Sequence, residues 1–164
     1  MEGQTFLHTE TERKFLVTSD GFLREAVGCR SITQGYVCRK EKTVRVRLCD
    51  DKAYLTIKGK TKDGLSRQEW EIEIDPEAAS SLFPLCSGFV VKKKRYLVPE
   101  KNGHCFEVDV FEDENEGLTV AEVELGSAEE PFERPSWLGE EVTTDSRYRN
   151  AYLSVQPYKT WNQE

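Results

Sequence analysis

Charged and apolar residues take turns along much of this chain. In the run 43–49, Val44, Val46 and Leu48 alternate with Arg45 and Arg47; in 66–74, Trp70, Ile72 and Ile74 alternate with Arg67, Glu69, Glu71 and Glu73. The same period sets Leu55 and Ile57 against Lys58, Glu107 and Asp109 against Val108 and Val110, and Glu122 and Glu124 against Val123 and Leu125. Lys93 and Arg95 share a side, as do Glu10, Glu12 and Lys14 near the start. A period of two is that of a β-strand, whose successive side chains point to opposite faces. Strands are therefore predicted over 9–17, 31–39, 43–49, 53–58, 66–74, 89–98, 105–111 and 118–125. Asn102-Gly103 predicts a tight hairpin turn, and 59–64 and the acidic run 112–117 predict loops. Short helices are predicted over 18–28, over 75–83 with Asp75 as cap and Pro76 at its first position, and over 144–155. The last would bury Tyr148, Ala151, Tyr152 and Val155, and Ser127-x-x-Glu130 has the form of a capping box for one more. Strands joined by short turns give a mainly antiparallel α+β fold, an open sheet or a closed barrel.

Alternation alone does not say which face is wet, because a sheet with one solvated side shows it too. The make-up of the polar face matters more. Charged residues are 32% of the 164, against about 25% in a typical domain. Arginines are doubled on one strand and carboxylates on three. Like charges two residues apart repel and are tolerated best around a ligand of opposite sign. A solvated face and a charged cavity both remain open on these grounds.

The length suits one domain over 1–164. A net charge of -7 argues against a nucleic-acid duplex as partner, since that needs a basic face. It leaves room for a small polyanion in a basic recess. Cys29, Cys38, Cys49, Cys86 and Cys105 are odd in number without Cys-x-x-Cys spacing, as expected of reduced thiols in a cytoplasmic protein. No signal peptide or membrane-spanning stretch is expected, and His8 and His104 fit no metal-ligand spacing.

If the ionic face lines a cavity, its chemistry narrows. Carboxylates without Cys or His suit a hard cation, Mg²⁺ or Mn²⁺. Neighbouring arginines and lysines suit phosphate oxygens, and the two together are the equipment of phosphoryl transfer. There is no Walker-type glycine loop.

Glu10-x-Glu12-x-Lys14 resembles the signature of the CYTH superfamily, the triphosphate tunnel metalloenzymes. Gln34-Gly35-Tyr36, Arg45-x-Arg47, Thr56-Ile57-Lys58, Leu65-Ser66-Arg67-x-Glu69-x-Glu71, Lys93-x-Arg95-Tyr96, Phe106-Glu107-x-Asp109-x-Phe111, Ala121-Glu122-x-Glu124 and Gly139-Glu140-Glu141-Val142-Thr143-x-Asp145-x-Arg147-Tyr148 follow in family order. The resemblance implies a closed eight-stranded antiparallel barrel, charged inside, with a few short helices packed outside. It implies that Glu10, Glu12, Asp109, Glu122 and Glu124, with Glu107, hold one or two divalent cations. Lys14, Arg45, Arg47, Lys58, Lys93, Arg95 and Arg149 would grip the substrate. Lys14, Glu71 and Arg149 would serve catalysis, and Glu69 and Glu71 would orient the basic residues or reach a metal through water. Glu73 and Arg67 would make salt bridges near a tunnel mouth. Relatives usually carry Arg-Tyr-Lys-Asn in the last helix, where this chain has Arg147-Tyr148-Arg149-Asn150. An arginine keeps that charge but does not give up a proton.

The implied activity is metal-dependent hydrolysis of a linear triphosphate by a monomer or homodimer. Inorganic tripolyphosphate is the first choice of substrate and nucleoside triphosphates the second. A class IV adenylyl cyclase, a thiamine triphosphatase and a non-catalytic polyphosphate or nucleotide binding module are the alternatives.

Overall fold

The computed structural model describes residues 8–60 and 65–161. Nine strands carry the fold: β1 (His8–Val17), β2 (Gly28–Cys38), β3 (Thr43–Cys49), β4 (Lys52–Lys58), β5 (Ser66–Ile74), β6 (Ser87–Pro99), β7 (Cys105–Phe111), β8 (Thr119–Leu125) and β9 (Leu138–Glu141). They run in the order β5-β4-β3-β2-β6-β7-β8-β1, every neighbour antiparallel. The first half of β1 pairs with β5, which closes eight strands into a barrel. Closure leaves no unpaired edge in the wall. β9, which the sequence pattern does not predict, adds to β1 at Phe15 and Val17.

The outward apolar positions are covered by short pieces of chain. Phe15, Phe106, Val108, Ala121 and Val123 pack beneath Phe22 of α1 (Phe22–Glu25) and Trp137. Val46 and Ala53 pack beneath Ala79 of α2 (Pro76–Leu82), whose cap is Asp75 accepting from Glu77 N. Each large side chain buried this way contributes on the order of 1.5–3 kcal/mol.

One end of the interior is apolar. Val91, Phe111, Val120 and Leu16 share strand faces with Lys93, Asp109, Glu122 and Lys14, so they point inward. With Leu118 and Leu153 they form a cluster packed by Tyr148, Tyr158 and Trp161. Leu153 belongs to α3 (Asn150–Leu153), which thus lies across this end of the barrel, whereas α1 and α2 pack on its outer wall.

Several predicted elements are shorter in the structure. The helix expected over 18–28 is a single turn: Phe22 alone is anchored, Leu23 and Val27 are exposed, and Gly28 already opens β2. The helix expected over 144–155 is a 3-10 turn at Ser146–Tyr148 followed by α3; Leu153 is its buried anchor, and Val155 is exposed. No helix forms at Ser127-x-x-Glu130. Glu130 instead accepts from Gly126 N and meets His104 Nε2 at 2.8 Å. The hairpin at Asn102-Gly103 is a five-residue connection over 100–104, with Gly103 at φ 90° and the Glu100 carboxylate accepting from Asn102 N and His104 N. The loop predicted over 59–64 lies partly outside the described residues, as does the His8 side chain. No helix among the described residues is long and apolar enough to cross a membrane.

Candidate active site

Strand register sets residues of the ionic faces side by side on neighbouring strands. Lys14 stands opposite Glu122, Arg95 opposite Asp109, Arg45 opposite Thr56, Thr56 opposite Glu71, and Lys58 opposite Glu69. The channel they enclose is about 410 Å³. Thirteen of the fourteen residues expected to form the site line it: Lys14, Arg45, Arg47, Lys58, Lys93, Arg95, Arg149, Glu10, Glu12, Glu71, Glu107, Glu122 and Glu124. With Arg39, Arg67 and Glu69 the described wall carries nine basic and seven acidic side chains, in a chain whose net charge is -7. The basic excess is therefore concentrated inside.

The fourteenth, Asp109, is not on the channel surface. It points into the barrel but is covered at 1% exposure, its Oδ1 and Oδ2 accepting from Arg95 Nε and Nη2 at 2.8 and 2.9 Å, with Lys93 Nζ 2.7 Å from Oδ2. Two cations engage both its oxygens, so in this conformation it anchors Lys93 and Arg95; the resemblance implied a metal ligand at this position. Glu107 takes Arg95 Nη1 at 2.7 Å. Lys58 Nζ is 2.9 Å from Glu10 and Lys14 Nζ 3.3 Å from Glu122, Lys14 also donating to the Tyr148 carbonyl. Glu71 reaches Arg45 partly through Thr56, whose hydroxyl donates to Glu71 at 2.7 Å and accepts from Arg45 at 3.2 Å. The salt-bridging role expected of Arg67 and Glu73 is not found: Arg67 lines the channel and Glu73 does not, and neither is ion-paired to a described residue.

Neutral residues hold the remaining charges. Gln34 accepts from Arg47 Nε at 2.9 Å, and Asn150 accepts from Lys93 Nζ at 2.8 Å. Arg39 donates to the Ser154 and Ser87 hydroxyls, tying the end of α3 to the barrel rim. Gln34, Thr56 and Asn150 stand in the quoted motifs but were given no role from sequence, and Arg39 was not singled out. Gln34 and Thr56 share alternation faces with the charges, which is the signal that points to them. One buried side-chain atom among the described residues has no hydrogen-bond partner, Arg45 Nε. An unmet donor on a channel-lining arginine is an opening for an anion's oxygen.

The carboxylates divide by environment. Burial alone would raise Glu10, but Lys58 outweighs it and holds the group at about 2. Glu122 is likewise kept well below the usual range against its burial by Lys14, Arg95 and Lys93. Glu12 goes the other way: burial, then the charges of Glu122 and Glu10, push it well above the usual range. Burial and Glu10 also raise Glu69. Burial, with Arg95 and Arg47 adding to it, lowers Lys93 to about 7. Among the described residues no three carboxylates converge into a ready metal cage in this conformation. The donor set nevertheless fits a hard divalent cation, being all oxygen and crowded enough that Glu12 resists ionising until positive charge arrives.

A CYTH domain family model matches residues 8–154, and the chain belongs to that family. Its relatives carry a more particular description. It is 44% identical to an inorganic triphosphatase of Acetivibrio thermocellus over 156 residues, 94% of this chain and 98% of the relative. It is 41% identical to an inorganic triphosphatase of Nitrosomonas europaea over 151 residues, 90% and 97% of the two chains. A crystal structure of an inorganic triphosphatase superposes with a TM-score of 0.64 at 34% identity, covering 89% of this chain and 94% of the other.

Proposed function

We propose that this protein is a divalent-metal-dependent triphosphatase whose substrate is inorganic tripolyphosphate. The observation that carries the reading is the channel itself: a basic excess, with an unpartnered Arg45 Nε, enclosed in an acidic protein. The naming of two relatives above 40% identity as inorganic triphosphatases supports the same substrate.

Arg45, Arg47, Lys58, Lys93, Arg95 and Lys14 bind the phosphate chain and neutralise charge that develops on the leaving pyrophosphate. Arg149 adds a fixed positive charge from the cap of α3, because a guanidinium does not exchange its proton in this range. Glu71, through Thr56, and Asp109, covered by the cations it pairs with, hold the arginines and Lys93 in place. Glu10, Glu12, Glu122 and Glu124 are the residues that would hold Mg²⁺ or Mn²⁺, which when bound supplies charge neutralisation at the phosphate oxygens. The apolar cluster under α3 keeps water from that end of the barrel. The five free thiols accord with a reducing compartment such as the cytoplasm.

A panel of tripolyphosphate, pyrophosphate, ATP and thiamine triphosphate with each metal tests the assignment. Tripolyphosphate is expected to turn over fastest. Cyclic AMP from ATP would make the protein a cyclase, and binding without turnover would make it a binding module.

A further inference from the structure

Two amides sit among the channel charges, and their orientations are set by groups that can only donate. Arg47 Nε has no lone pair to offer, so the Gln34 atom 2.9 Å from it is the carbonyl oxygen. The Gln34 amino group then donates to the Tyr36 hydroxyl at 2.9 Å and to Asn150 Oδ1 at 3.2 Å. Protonated Lys93 is also donor-only, and it meets that same Asn150 Oδ1 at 2.8 Å. Both donors thus fix the Asn150 amide the same way round, with its oxygen turned to Lys93 and Gln34. Gln34 is fully buried, which holds the arrangement rigid.

The Asn150 amino group is what remains. It has no hydrogen-bond partner among the described residues and is not sealed from solvent, and Asn150 lines the channel beside Lys93. We propose that Asn150 is a substrate-binding residue whose side-chain amino group donates a hydrogen bond to a phosphate oxygen of the chain held by Lys93. This rests on the triphosphatase reading for the ligand. A neutral donor here adds a directed contact without adding to the repulsion among Arg47, Lys93 and Arg95. It also links α3, on which Asn150 is the first residue, to the bound phosphate.

The test is calorimetric binding of tripolyphosphate to metal-stripped wild type, Asn150→Ala and Asn150→Asp. Alanine removes the donor without adding charge, and aspartate keeps the acceptor toward Lys93 while removing the donor. Both are expected to weaken binding by roughly ten- to a hundred-fold, the loss of one hydrogen bond to a charged group. Melting curves without ligand check the fold; if the alanine variant unfolds, Asn150→Ser takes its place. Wild-type affinity in either variant overturns the proposal: in aspartate it leaves only the acceptor role, and in alanine it makes any aspartate defect one of charge alone. A wild-type channel that binds no tripolyphosphate overturns it as well. Turnover of tripolyphosphate by wild type with Mg²⁺, measured in parallel, tests the triphosphatase reading separately.

Discussion

Lys93 Nζ and Asp109 Oδ2 lie 2.7 Å apart with each side chain 1% exposed. The same carboxylate holds the Arg95 guanidinium in two hydrogen bonds. One acid therefore serves two of the channel's cations, and removing it leaves both without their counter-charge in a buried place. Asp109→Asn is expected to cost about 3–5 kcal/mol of stability, the range for breaking a buried pair from one side. Urea denaturation of the ligand-free protein measures it, and a loss under 1 kcal/mol would show that the pair is dispensable.

Gly88 sits at φ 77°, and a Cβ there would fall 2.4 Å from the Ser154 carbonyl oxygen and 2.7 Å from Arg39 Nη2. Gly88→Ala must strain the backbone, by about 1–3 kcal/mol, and push the end of α3 away. Because α3 carries Asn150 next to Arg149, the expected result is a lower melting temperature together with a raised KM for tripolyphosphate. An unchanged KM would separate α3 from the site.

Glu12 retains its proton above the usual carboxylate range because of its burial and the charges of Glu122 and Glu10. A group with its folded pKa raised makes the folded state bind more protons, so its contribution to stability falls as pH rises through that pKa. A divalent cation relieves the repulsion, so the rise in melting temperature on adding Mg²⁺ or Mn²⁺ is expected to grow from pH 6 to pH 9. Activity should share this alkaline preference. A metal-induced shift that shrinks with pH, or a sharp acidic optimum, would contradict the assignment of Glu12.

His104 bridges Glu100 and Glu130, each 2.8 Å away, and clasps the segment after β8 to the β6–β7 hairpin. Hydrogen bonds donated to Glu130 and Glu100 raise the His104 pKa; against burial, the backbone N–H groups of Glu133, His104 and Asn102 with the His104 ring lower Glu100 to about 2. The histidine's contribution is complete below its unfolded pKa and lost as pH rises through the folded one; those of the carboxylates are present above their unfolded pKa and lost as pH falls through the folded ones. The stability gap between wild type and His104→Gln is therefore expected to be widest near pH 5–6 and to narrow above pH 8. Thermal melts across that window check it, and a gap constant with pH would mean that the ring acts by packing alone.

The ionic strand faces were legible because Arg45 with Arg47, and Glu122 with Glu124, repeat at strand period, but that they turn inward was implied by the family resemblance alone. Strand bounds at 43–49, 66–74 and 105–111 coincide with the structure for the same reason. The helices were less legible, since a capping residue and two apolar pairs are common to a single turn and to a full helix. Chain reversal into β2 left Leu23 and Val27 nothing to pack on. The pairing of Asp109 with Lys93 and Arg95 was hidden because alternation gives a residue's face but not its depth or its partner. β9 escaped because four residues paired only to β1 carry no alternation of their own.

Glu122 stands at the centre of the acid group, 3.3 Å from Lys14 and pulled down by Arg95 and Lys93 as well. Glu122→Gln keeps the shape and removes the charge, so hydrolysis is expected to fall by at least about a hundred-fold with the fold retained at a lower melting temperature. Arg45→Ala is expected to raise KM chiefly, through loss of a phosphate contact. A Glu122→Gln protein with wild-type turnover would remove the carboxylates from the chemistry.

The most direct measurement follows tripolyphosphate by phosphorus NMR with purified protein and Mg²⁺ or Mn²⁺. Its conversion to pyrophosphate and phosphate, in equal amounts at first and dependent on the added metal, is expected. A folded protein that leaves tripolyphosphate intact with both metals would contradict it.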